Sequence, residues 1–257
     1  MLTLINFYRR AAILFLINCN LEAVFTVNSK KIINMNESIP LSQKLYLLGI
    51  HPEKGGIIGA SYTAMNYVLI GSLLLELYQN KNIKFDKKRV ILLDLKSDND
   101  LYRFLLEKIG KSKRTSRIST WIQKFQYSLK YIRKEVQLGL VEKRIIRMQA
   151  KQFLFFKWKK PILVNKQVVS KLMSGIEKQV FNGVVSEDEV ILLSFLKPAG
   201  LLNRVFPERQ KRKKAKLKLK QIMVENQVSV AVADAISAAQ AVATSVAATS
   251  AATASVS

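Results

Sequence analysis

The chain has 257 residues and a formal net charge of +24 at pH 7, from 42 Lys and Arg against 18 Asp and Glu. A field of this sign attracts polyanions, which leaves nucleic acid and acidic lipid as the candidate partners. One cysteine, Cys19, excludes an internal disulfide and a multi-cysteine metal site and fits a reducing compartment. The one histidine, His51, precedes Pro52 in a turn-like segment, so we expect a solvated turn residue and neither a metal nor a cofactor.

The first 37 residues differ in character from the rest. Tyr8-Arg9-Arg10 leads into the apolar run Ala11–Ile17, which is similar to a short secretory signal, is too short to span a membrane and lacks a clean cleavage site. Met35 opens a segment that reads like an ordinary protein start. We assign residues 1–37 to an N-terminal extension or leader, and favour a translation start placed upstream of the true one over an export signal.

Two helices are predicted in the segment that follows. A short amphipathic helix extends from Pro40 to Gly49, because leucines recur there at spacings of four and three. A second helix, from about Tyr62 to Tyr78, is apolar on almost every side, with Glu76 its one charge. Such a helix belongs at the centre of a core.

A helix followed by a hairpin occurs twice along the chain. Alternating strands at 83–86 and 90–94 flank the predicted turn 87–89 directly after the apolar helix. Later, apolar residues at steps of three and four predict one amphipathic helix from Trp121 to Val141. The second hairpin follows it, with strands at 145–148 and 153–158, a turn at 149–152, and Pro161 closing its exit.

The C-terminal part is predicted from a cap, a charge run and a tail. Ser186 and Glu189 form a capping box that opens a helix through Leu196, which Pro198 ends. Residues 209–220 are the densest positive stretch, and residues 240–257 are a low-complexity Ala, Ser, Thr and Val tail. We expect a mainly α fold, a compact domain over residues 38–239 around a central helix bundle, with two winged-helix-like helix–hairpin units.

The candidate functional residues are basic side chains on the helix that precedes the second hairpin. Lys130, Arg133 and Lys134 occur at i, i+3 and i+4 and therefore project from one side of that helix. Arginine offers a two-pronged donor to phosphate oxygens and lysine adds a point charge, which suits a phosphorylated headgroup. A solvated helix face is the alternative.

The second hairpin interleaves aromatic and cationic residues. Aromatic rings of this kind lie at the headgroup level of a bilayer while lysines meet lipid phosphate. There are two alternatives. The strand packs one face in the core, or the hairpin is a self-association surface that makes a homo-oligomer. The candidate membrane-contact or self-association residues are Phe156, Lys157, Trp158, Lys159 and Lys160.

Enzymatic function is not expected. No carboxylate pair has a spacing that suggests acid–base chemistry, and the glycines at 55–59 lack the context of a nucleotide loop. The basic run 209–220 fits a membrane patch, a nucleic-acid patch or a solvated face. The helix–hairpin repeat and the net charge of +24 together make a winged-helix nucleic-acid-binding protein the alternative function. The apolar helix before the first hairpin cannot lie in a groove, but the helix before the second hairpin can.

The order of several short motifs resembles the Golgi phosphoprotein 3 family from about Ser38 to about Ala239. The motifs are Ile39-Pro40-Leu41-Ser42-Gln43-Lys44-Leu45-Tyr46-Leu47-Leu48, Ser72-Leu73-Leu74-Leu75-Glu76-Leu77, Trp121-Ile122, Leu140-Val141-Glu142-Lys143 with Phe153-Leu154-Phe155, and Ala199-Gly200-Leu201-Leu202-Asn203-Arg204-Val205-Phe206-Pro207.

The resemblance implies a single helical domain with a projecting hairpin that binds phosphatidylinositol 4-phosphate on a cytosolic membrane face. Eukaryotic members also retain Golgi glycosyltransferases, so membrane-enzyme clients and a Golgi location are implied for a eukaryotic member. Lys130 and Arg133 match the family's two basic positions, whereas Ser61 and Ile70 stand where eukaryotic members have a tryptophan and an arginine. The chain therefore looks like a prokaryotic-type member, for which anionic-lipid binding is the expectation.

Overall fold

The computed structural model describes residues 39–183, 186–225 and 229–254, except the side chains of residues 60, 153, 231 and 244–254. Within these ranges the protein has ten α-helices and two antiparallel two-stranded sheets, which confirms the mainly α class. The predicted extension at 1–37 lies outside the described residues. The elements are α1 (Leu41–Gly49), α2 (Tyr62–Gln79), β1 (Ile83–Asp86), β2 (Arg89–Leu92), α3 (Asp100–Gly110), α4 (Ile118–Gln126), α5 (Leu129–Glu142), β3 (Ile146–Phe153), β4 (Phe156–Leu163), α6 (Lys166–Asn182), α7 (Glu187–Leu196), α8 (Leu202–Val205), α9 (Arg209–Glu225) and α10 (Val230–Ala254).

The apolar helix α2 is the centre of the core, as its sequence predicts. Every residue from Val68 to Leu77 is buried, and α1, α4 and α10 pack around it. Helix α10 approaches closely, because a Cβ atom at Gly71 would lie 2.6 Å from the Cβ of Ala239. The alanine-rich sequence of α10 therefore serves close helix packing, and the helix continues into the low-complexity tail as far as Ala254.

The one charge of α2 ties three helices together. The Glu76 carboxylate accepts hydrogen bonds from the Ser42 backbone N–H at 2.6 Å, the Ser42 hydroxyl at 3.1 Å and the Tyr102 hydroxyl at 2.9 Å. Burial raises the pKa of Glu76, and these hydrogen bonds oppose that rise. A buried carboxylate held by three donors is a structural joint between α1, α2 and α3.

The helix predicted from Trp121 to Val141 is two helices, α4 and α5. The chain turns at Tyr127 and Ser128, whose N–H groups bond three residues back, to the carbonyls of Lys124 and Phe125. The stripe is buried on both sides of the break, at Ile122 and Phe125 in α4 and at Ile132, Val136 and Leu140 in α5, so the hydrophobic period continues through it. The periodicity alone could not reveal it.

The turn of the second hairpin was predicted at the wrong place. Residues 149–152 continue β3 and pair with residues 157–160 of β4, and the chain reverses at Leu154 and Phe155. Leu154 adopts a left-handed φ of 51° without a glycine or asparagine to announce it. Pro161 does not close the exit but lies inside β4 opposite Met148.

Other local predictions are confirmed. The first hairpin pairs Ile83–Asp86 with Arg89–Leu92, a turn one residue shorter than predicted. The capping box of α7 is complete, since the Ser186 hydroxyl accepts from the Glu189 N–H at 3.4 Å and the Glu189 carboxylate accepts from the Ser186 N–H at 2.8 Å. Helices α3 and α6 had not been predicted.

Candidate functional site

The three predicted headgroup residues lie together on α5. This helix buries Ile132, Val136 and Leu140 against the body of the protein, which turns Lys130 and Lys134 to the outside. Arg133 is half-buried between them. Lys134 has a long contact, 3.9 Å, with the partly buried Glu135, which stabilises little because the Lys134 charge is solvated and the pair is at the limit of ion-pair distance.

Arg133 is held by the first turns of α2. Its guanidinium donates a hydrogen bond to the Asn66 side-chain oxygen and lies over the Tyr62 ring, 5.2 Å from the ring centroid. A guanidinium carries five N–H donors, so this arrangement fixes its plane and leaves donors for a phosphate oxygen. The Tyr62 ring is 54% exposed beside it.

A partly buried hydrogen bond joins α1 to α5 near Arg133. Tyr46 of α1 is buried, and its hydroxyl oxygen accepts a hydrogen bond from the Gln137 amide of α5 at 2.5 Å. Burial raises the pKa of Tyr46, although the nearby Arg133 charge opposes the rise, so the phenol stays protonated at neutral pH.

The two departures from the eukaryotic family pattern lie inside the protein. Ile70 is 1% exposed within α2, and Ser61 is buried at the start of the same helix. Neither side chain reaches the surface that displays Lys130. The sequence reasoning missed Tyr62, an aromatic residue one position after Ser61, and Asn66, one turn further on.

The predicted hairpin residues lie on β4 but point to both of its faces. Phe156, Trp158 and Lys160 alternate with Lys157 and Lys159, as a strand requires. Phe156 is 73% exposed and Trp158 is 47% exposed, so neither packs in the core. The most exposed apolar group of the hairpin, Phe155 at 95%, is at the turn and had not been included in the site. We call Leu154, Phe155 and Phe156 the hairpin tip.

A glycine loop connects the hairpin to the start of α2. Gly56 donates its N–H to the Pro161 carbonyl of β4 at 2.7 Å. Gly55 has a φ of +67°, and a Cβ atom there would lie 2.5 Å from the Ile162 side chain and 2.6 Å from the Pro161 oxygen. Only glycine fits this close approach. The loop therefore holds the base of the hairpin beside the segment that leads to Tyr62.

A cleft of about 370 Å³ lies on the other side of α5, and it has the wrong charge for a phosphate. Its walls include the carboxylates Asp98, Asp100, Glu135 and Glu142. An anionic headgroup would be repelled from this cleft. The basic residues, and not the cleft, form the candidate anion site.

Within the described residues there is no cluster of His, Cys, Asp and Glu side chains able to hold a metal ion. None of the helices in those ranges combines the length and apolarity that crossing a bilayer demands. The fold and the site thus define a helical domain with a basic surface and a projecting hairpin. Residues 41–239 match the Golgi phosphoprotein 3 (GPP34) family, and the chain belongs to that family.

Proposed function

We propose that the protein is a non-enzymatic peripheral membrane protein that binds anionic lipid headgroups through Lys130, Arg133 and Lys134. The observation that supports this most directly is the position of Arg133. Its guanidinium is fixed by Asn66 and the Tyr62 ring at the surface, with exposed Lys130 about one turn before it and exposed Lys134 directly after it. Phosphate oxygens match both kinds of donor.

The hairpin tip supplies the apolar part of the same docking surface. Phe155 and Phe156 are solvated in the isolated protein, and Lys157 and Lys159 stand beside them. Aromatic residues flanked by lysines are suited to the interface of an acidic bilayer. The glycine loop joins the base of the hairpin to the start of α2, which allows both parts to meet one membrane.

The proposed ligand class is broader than phosphatidylinositol 4-phosphate. At the two positions where eukaryotic members have a tryptophan and an arginine, this chain has the buried Ser61 and Ile70. A headgroup therefore meets two of the family's basic side chains, Lys130 and Arg133, instead of three. The charge of the lipid then contributes more to binding affinity than the identity of its headgroup. Because the chain belongs to this family, the proposed function also includes adaptor activity toward membrane enzymes.

The test is vesicle flotation of a paired variant, Lys130→Ala with Arg133→Ala. The vesicles contain phosphatidylcholine alone, or with phosphatidylinositol 4-phosphate, or with phosphatidylserine at equal surface charge. Each basic residue near an acidic surface contributes about 1 kcal/mol, so we expect affinity for both acidic vesicles to fall about thirtyfold. The matched control, Lys84→Ala with Lys96→Ala, removes two exposed cations elsewhere and should lower affinity about twofold.

Equal binding by the site variant and the control variant would contradict the proposal. A duplex DNA titration at the same physiological salt tests the alternative function. The apolar α2 is buried from Val68 to Leu77 and cannot enter a groove, so a nucleic-acid protein would have to use α5. If the protein binds duplex DNA more tightly than acidic vesicles, and the site variant loses that DNA binding, the ligand of the α5 site is nucleic acid and not lipid.

A further inference from the structure

We propose that helix α9 is a second membrane-docking element, which lies flat on an acidic bilayer. The inference rests on the proposed function, because both need a membrane, but it concerns a different helix and different residues. Two features carry it, a basic stripe made of Arg209, Lys213, Lys216 and Lys220, and an apolar ridge made of Leu217 and Val224.

The basic stripe follows one side of α9. Its four residues occur at i, i+4, i+7 and i+11, which places them in a row on a 3.6-residue helix. At a rise of 1.5 Å per residue the row is about 16 Å long. All four side chains are exposed, and in the part of the chain that the structure describes none of them forms an ion pair.

The opposite side of α9 fixes the helix to the protein. Ala215, Leu219 and Ile222 are buried where α9 packs on α6 and α7. The Arg212 guanidinium donates to the carbonyls of Phe206 and Pro207, at 2.9 and 2.7 Å. Arg212, Phe206 and Pro207 all belong to the folded domain, so these hydrogen bonds and the buried residues hold α9 and its basic stripe in a fixed position.

The apolar ridge explains why the partner is a bilayer. Leu217 and Val224 are seven residues apart on the outer side of α9, and they are 72% and 74% exposed. The basic stripe runs along one side of the ridge, and Lys214 and Lys218 lie along the other. This is the pattern of an interfacial helix, in which apolar residues enter the acyl boundary while lysine stems extend back to the phosphates. A phosphodiester backbone would leave both apolar residues in water.

The charge pattern also indicates an external anion. Arg209 and Lys213, and then Lys216 and Lys220, are like-charged pairs at i and i+4, an arrangement that destabilises a helix. Glu208 and Glu225, at the two ends of the segment, are too far away to neutralise its middle. An acidic lipid surface would relieve this repulsion along the whole stripe.

The experiment compares the full-length protein with two variants of α9 by flotation with phosphatidylserine-containing vesicles. The stripe variant replaces Arg209, Lys213, Lys216 and Lys220 with Gln, and a control variant replaces the exposed Lys84, Lys96, Lys113 and Arg114 with Gln. Because the net charge is the same, we expect the stripe variant to lose affinity about two hundredfold relative to this control, at about 1 kcal/mol for each of its four basic residues. The ridge variant, Leu217→Ser with Val224→Ser, should lose more than about tenfold on vesicles, because burial of an apolar side chain contributes about 1.5–3 kcal/mol, and should lose nothing on duplex DNA.

Circular dichroism checks that each variant is folded, and glutamine keeps helix propensity close to that of lysine. Stripe and control variants that float equally would overturn the inference. A second pair of results would also overturn the inference: the ridge variant keeps its vesicle binding, and the stripe variant loses binding to duplex DNA. Those results together would assign the stripe to nucleic acid. If the stripe variant loses vesicle affinity while the paired variant Lys130→Ala with Arg133→Ala binds vesicles fully, the α9 inference is supported and the proposed α5 site is wrong.

Discussion

The two hairpins of this protein are built alike and placed differently. Each is an antiparallel pair of strands joined by two residues, Lys87 and Lys88 in the first and Leu154 and Phe155 in the second. The first packs on α2, α4 and α10 and buries Ile83 and Val90, whereas the second exposes its apolar tip. Strand pairing alone therefore does not say whether a hairpin is structural; the exposure of its apolar side chains does.

The largest expected difference between the hairpins is in stability. Ile83 is 1% exposed, so Ile83→Ala removes buried methyl groups and leaves a cavity, and we expect it to lower the free energy of unfolding by about 2–4 kcal/mol. Phe155→Ala, at a side chain 95% exposed, should change it by about 0.5 kcal/mol or less. Urea denaturation followed by circular dichroism measures both. A large loss from Phe155→Ala would show that the tip packs in a folded contact and would end the comparison.

The second expected difference is in membrane binding. Phe155→Ser with Phe156→Ser removes the two aromatic groups of the tip, and we expect acidic-vesicle affinity to fall by at least about a hundredfold with unchanged unfolding, because burial of each such side chain contributes about 1.5–3 kcal/mol. The matched control is Leu93→Ser with Leu95→Ser, two residues 54% and 50% exposed beside the first hairpin.

Sedimentation of the same variants tests the other use of the hairpin. If the tip variant keeps its vesicle affinity but shifts from a larger assembly to a smaller one, the tip joins copies of the chain and does not meet lipid. If the control loses as much vesicle affinity as the tip variant, exposed apolar area in general, and not the tip, determines binding.

Sequence patterns predicted the fold wherever one physical signal dominated. The apolar helix α2 and the capping box at Ser186 needed no tertiary information. The break at Tyr127 was hidden because α4 and α5 bury one continuous stripe, and the turn at Leu154 was hidden because its left-handed residue is neither glycine nor asparagine.

The candidate site was predictable only along one helix. Helical spacing brought Lys130, Arg133 and Lys134 together in the sequence. The residues that orient Arg133, Tyr62 and Asn66, belong to α2, and the hydrogen bond to Asn66 joins positions 67 residues apart. No local pattern encodes such a contact, because it depends on how α2 and α5 pack.

The smallest expected effect concerns the turns, each of which contains a left-handed residue that has a side chain. Leu154 has a φ of 51° and Lys88 a φ of 64°, in turns that favour glycine. A left-handed residue with a side chain costs about 1–2 kcal/mol, and glycine loses about 0.5–1 kcal/mol of entropy on folding, so replacement by glycine should stabilise the turn by roughly 0.5–1 kcal/mol at either position.

The two stabilising effects should nevertheless appear in different measurements. The first hairpin is part of the core, so Lys88→Gly should raise the free energy of global unfolding. The second hairpin projects, and its end can open while the core stays folded. Leu154→Gly should therefore leave global unfolding unchanged and slow amide hydrogen exchange near the tip about threefold. A rise in global stability from Leu154→Gly would mean that the second hairpin unfolds only with the core, as the first one does.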